Sequence, residues 1–163
     1  MVDFRELAAK ARAEHERKLK EREVKAETDR TARSAEVDVA IAVLERHVVP
    51  LLERAKDDFH AEGVEARILK NFDVKKYAKI DPSLKFQCLG PARKSDGYRF
   101  EAPAAFFRSD GHTITVEWGE PATNLGSAKP GDSEPLVIEA IKKALASYIA
   151  ELDRTALSRN LRP

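Results

Sequence analysis

The chain has 163 residues, about one domain's worth, and 35 % of them are charged against a usual ~25 %. Its 29 basic and 28 acidic residues leave a formal +1, which excludes a uniformly basic coat and an acidic tail but leaves room for a local patch. A single cysteine, Cys88, excludes an intramolecular disulfide and a Cys-rich zinc site.

No basic segment followed by an apolar run opens the sequence, so no signal peptide is expected. The longest apolar stretches, such as Val39 to Leu44, fall far short of the ~20 residues that span a bilayer. The expectation is a cytoplasmic protein with no membrane partner. Charge is segregated along the chain: residues 1–34 carry +2, 35–63 carry −4, 64–94 carry +5 and 95–163 carry −2.

Residues 3–33 contain no Gly or Pro and are dominated by Ala, Glu, Lys and Arg, which predicts helix. Glu6–Lys10, Glu14–Lys18, Glu16–Lys20 and Glu21–Lys25 fall at i,i+4, each adding a few tenths of a kcal/mol. The apolar positions Phe4, Leu7, Ala11, Leu19 and Val24 are too sparse for a coiled-coil seam, and His15 and Lys18 interrupt them. Residues 1–33 therefore read as a charged helical extension, and 34–163 as a single domain.

From Val37 the pattern becomes amphipathic: Val37, Ile41, Leu44, Val48, Leu51, Ala55 and Phe59 step by three or four. Pro50 predicts a kink, or two short collinear helices, and Gly63 predicts the stop. Nothing between residues 30 and 36 breaks helix, so the two segments can run together. After Gly63 the period changes to two. Val64, Ala66 and Ile68 form one strand; Leu84, Phe86 and Cys88 form a second. A third runs from Tyr98 to Arg108, where Pro103 implies an edge or a bulge. Asp110-Gly111 predicts a hairpin into His112, Ile114, Val116 and Trp118. Residues 119–135, rich in Gly and Pro, read as a long loop. A final helix begins near Asp132 or Ser133, with Val137, Ile141, Ala144, Tyr148 and Leu152 on its apolar face, joined by Ala140, Leu145 and Ile149. The fold class is α+β: a long N-terminal helix and a kinked amphipathic helix, an antiparallel sheet of about four strands, and a C-terminal helix.

Motifs with chemistry are few. The run from Gly126 to Ser133 has the glycine spacing of a phosphate loop, but Asp132 stands where a lysine is needed and would repel phosphate, so helix capping is the simpler role. Glu53, Asp57 and His60 share a helix face without a second ligand cluster, and Arg54–Asp58 accounts for that surface as ordinary pairing. Cys88 reads as a buried small hydrophobe; a Cys88–His112 nucleophile pair needs strand neighbours the sequence does not supply. No catalytic residue, metal or cofactor is indicated. The binding lead is the basic zone: Arg67, Lys70, Lys75, Lys76, Lys79, Lys85, Arg93 and Lys94, interleaved with Phe72, Tyr77 and Phe86.

Three functional readings follow. The first is a non-enzymatic interaction or assembly module that uses its N-terminal helix to dock a protein partner or a second copy. The second is a nucleic-acid binder using the basic 64–94 region, with Tyr77 among the contacts. The third is a small-molecule-binding or catalytic domain with 119–133 as a lid.

Overall fold

The computed structural model describes residues 1–72, 81–91 and 97–160. The chain divides into two compact units, Met1–Glu36 and Val37–Pro163.

Met1–Glu36 is helical almost throughout. Helix α1 spans Phe4–His47 and continues into the second unit. Its start is capped: the Asp3 carboxylate accepts the Arg5 amide at 2.9 Å, and the Leu7 amide closes the first turn on the Asp3 carbonyl at 3.1 Å. Lys10–Glu6 and Lys18–Glu14 pair at 3.4 and 3.3 Å as their spacing predicts, while Glu21 turns to Arg17 at 3.9 Å rather than to Lys25. Thr28 and Thr31 donate their hydroxyls back to the carbonyls of Val24 and Glu27, four residues earlier.

In the second unit, α1 ends at His47 and α2 runs Val49–Ala61. The break is the kink expected at Pro50, which has no amide to donate to the preceding turn. Val48 sits between the helices at φ −111°, yet its amide still reaches the Leu44 carbonyl and its own carbonyl receives the Leu52 amide. The buried line is Ala40, Leu44, Val48 and Leu52, shifted slightly from the line the larger side chains suggest. Gly63 ends α2 at φ +80°: its amide reaches the His60 carbonyl and the Val64 amide reaches the Phe59 carbonyl, the two bonds of a Schellman stop.

Five antiparallel strands follow in sheet order β1–β2–β3–β4–β5: Glu65–Lys70, Ser83–Leu89, Ala105–Ser109, Ile114–Trp118 and Thr123–Ala128. The fifth lies inside the stretch read as a loop. Between Val116↔Gly126 and Glu117↔Asn124, Leu125 is an extra residue, so β5 pairs with β4 through a bulge. The Asn124 side chain accepts the Gly126 amide at 2.8 Å across it. The third strand is shorter than expected, because Pro103 marks a bulge and not an edge. Leu89 bridges to Glu101, but Phe86 pairs with Ala105, one residue out of step. The hairpin between β3 and β4 forms as expected, with Ser109 opposite Ile114. The Asp110 carboxylate holds its turn by accepting the amides of His112 and Thr113, both at 2.8 Å, and this lowers its pKa.

Helix α3, Glu134–Asn160, follows a short 3-10 turn at Pro130–Asp132. It packs against β2, β3, β4 and β5, while α2 packs against β1 and α3. One face of the sheet therefore builds the core, with Leu84, Phe86, Cys88, Phe107, Ile114 and Val116 all buried. On the helices, Val137, Ala140, Ile141, Ala144 and Tyr148 meet them. Ile149 does not join this face; it is 45 % exposed. Phe59 tilts against Phe86 at 6.2 Å, and Phe100 stacks on Tyr148 at 5.9 Å. Gly90 sits under that stack, where an added Cβ would meet the Phe100 ring at 2.3 Å. Among the described residues no helix is long and apolar enough to cross a membrane.

Candidate functional site

Of the basic zone, Arg67, Lys70 and Lys85 lie among the described residues; Lys75, Lys76, Tyr77, Lys79, Arg93 and Lys94 lie outside them. Strand alternation separates the three. Arg67 and Lys85 point to the sheet face away from the helices, whereas Lys70 has the parity of the buried Ala66 and sits 5.9 Å from the Phe72 ring. Arg67 is committed locally: its guanidinium donates to the Gln87 side chain at 2.8 and 3.1 Å and to Glu101 at 2.6 Å. Gln87, in turn, donates to the Ala102 carbonyl at 2.9 Å, so this network pins the bulge beside Pro103. Lys85 lies over Phe106 at 5.9 Å, and Arg108 pairs with Glu117. Phe86 is in the core. The described part of the zone is thus split between two faces, with Arg67 paired to a carboxylate and Lys70 and Lys85 each lying over an aromatic ring.

Cys88 is fully buried, and burial pushes its thiol up to about 11. His112 is exposed in the turn after β3, not on the strand. Because Ser83 is level with Arg108 and Phe86 with Ala105, that turn lies beyond the opposite end of β2 from Cys88. Five residues of strand separate the two levels, about 15 Å, so no Cys–His pair forms. The Ser133 hydroxyl donates to the Pro130 carbonyl at 2.8 Å, within the turn that starts α3, and offers nothing to a phosphate. His60 faces Glu65 at 3.4 Å and Arg54 pairs with Asp58 at 3.9 Å; among the described residues no cluster could hold a metal. The stretch expected to form a lid is, over Thr123–Ala128, strand β5.

Two surfaces remain. The first is α1 in Met1–Glu36, where every residue is exposed, including Phe4 at 78 % and Leu7 at 59 %. The second, which the sequence reading did not separate from the core, is a groove between α2 and α3 of about 330 Å³. Leu51, Ala55 and Phe59 form one wall and Ile138, Ile141 and Leu145 the other. Arg54 and Asp58 rim the α2 side; Glu134 and Lys142 rim the α3 side. The available signal was the width of the α3 apolar arc: Ile138 and Ile149 lie beyond the positions that pack into the core. No protein-family model matches the chain, and no curated protein or solved structure matches it.

Proposed function

We propose that the protein is an interaction and assembly module, non-enzymatic in character, whose docking element is the exposed N-terminal part of α1. The observation that carries this reading is the exposure of all of residues 1–36, six large apolar side chains among them, in a chain whose second unit has its own core. A helix this polar is held by its cap and its i,i+4 pairs rather than by burial, which leaves its surface free for a partner. Protein contact is favoured over nucleic acid because the described cations of the basic zone are split between faces, with Arg67 paired to Glu101 and Lys70 and Lys85 lying over the Phe72 and Phe106 rings.

The test compares the full chain with two variants by sedimentation over a wide concentration range. One variant lacks residues 1–33; the other carries Gln at Phe4, Leu7, Leu19 and Val24. Concentration-dependent association of the full chain, lost in both variants with the melting of the core unchanged, is the expected result. Association that is absent in the full chain, or unchanged in the variants, overturns the reading.

A further inference from the structure

We propose that the partner of α1 is a second copy of this chain, and that the first turns of α1 dock in the groove between α2 and α3 of that copy. This rests on the reading of α1 as the docking element and names its receptor. The groove has the form that accepts a helix: two apolar walls and a charged rim. The start of α1 has the matching form. Phe4, Leu7 and Ala11 recur at i, i+3 and i+7, which places them on one stripe, and both large side chains are exposed.

Charge fixes the direction. On the α3 rim, Glu134 and Lys142 stand about 12 Å apart along the helix, the acid first. Arg54 and Asp58 on the other rim already answer each other at 3.9 Å. Beside the Leu7 edge of the α1 stripe, Asp3 and Lys10 are two turns apart, about 10 Å, again with the acid first. Laid antiparallel to α3, this segment brings Lys10 to Glu134 and Asp3 to Lys142 together, with Phe4 and Leu7 in the groove. A parallel segment would oppose like charges at both points. The Lys10–Glu6 pair within α1 is 3.4 Å long and well exposed, so releasing Lys10 costs little. The contact is short, below the size of stable dimer interfaces, so the affinity is weak, of the order of tens of micromolar or more, and sensitive to salt.

The test uses the full chain throughout. Lys10→Glu or Glu134→Lys alone weakens association about five-fold, and the two combined in one chain restore it, because each interface then regains an opposite pair. Ile138→Glu in the groove weakens it at least about ten-fold. A chain carrying Leu7→Cys, mixed with one carrying Ile138→Cys and oxidised, gives a mixed covalent dimer; Cys88, buried, does not interfere. If association needs Phe4 and Leu7 but ignores Glu134 and Ile138, and the mixed cross-link does not form, α1 remains the docking element and the groove is overturned as its receptor. If the full chain does not associate, both fall.

Discussion

Cys88 occupies the place of a small hydrophobe, and its titration carries the cost of that place. Burial raises the folded thiol from 9.0 to about 11, while an unfolded thiol ionises near the lower value. Folding is therefore favoured by the neutral thiol below pH 9, and this contribution is lost as pH rises from about 9 to about 11. Tyr148, raised by burial and by the nearby Cys88, adds to the same trend at the alkaline end. Denaturant titrations should show stability falling by roughly 2 kcal/mol across that window, with a visibly shallower fall for Cys88→Ala. A thiol reagent at neutral pH should leave the native protein unmodified and react once it unfolds. The sequence supported this placement because Cys88 alternates with Leu84 and Phe86. It could not place His112, whose apparent alternation with Ile114 ends where the Asp110 turn takes the chain out of the strand.

At the scale of elements, the end of α2 offers a clean separation of backbone from packing. Gly63 is at φ +80°, yet an added Cβ there would meet nothing within 4 Å. Gly63→Ala should cost about 1 kcal/mol through backbone strain alone, and Gly63→Asn less, because Asn tolerates the left-handed region better. Equal midpoints for Ala and the parent in urea would contradict that account. Glycine, proline and Asp-Gly made the helix stop, the kink and the β3–β4 hairpin readable in advance, since each acts through local geometry. Strand β5 was not readable for the opposite reason. Thr123, Asn124, Gly126, Ser127 and Ala128 carry little β-branched or aromatic character, and the bulged Leu125 breaks the alternation. The α2–α3 groove escaped because a wide apolar arc looks the same whether a neighbour covers it or not. Lys70 and Lys85 could be assigned to opposite faces only once the register Lys70↔Leu84 and Leu69↔Lys85 was known.

Across the whole molecule, the two units differ in what holds them. Amides in residues 8–33 are protected by helix bonds alone and should exchange within seconds. Those of β2, β3 and β4, beneath Phe86, Phe107 and Val116, should be at least about a thousand-fold slower, since they open with the core. Uniform protection along the chain, read by exchange mass spectrometry, would contradict this division. The first unit carries 19 of the 57 charged residues in 36 positions, while the second is about 30 % charged, so the excess of charge over an ordinary domain belongs in large part to the first unit. The bulge in β5 has a consequence for how copies of the chain can meet. An open sheet can grow by taking on a further strand at either border. Here the β5 border is interrupted by Leu125, with the Gly126 amide already taken by Asn124, while the β1 border carries Glu65, Arg67 and Lys70. Growth of the sheet into a ribbon is therefore discouraged on both sides, which leaves the helical surfaces as the faces on which the proposed assembly depends.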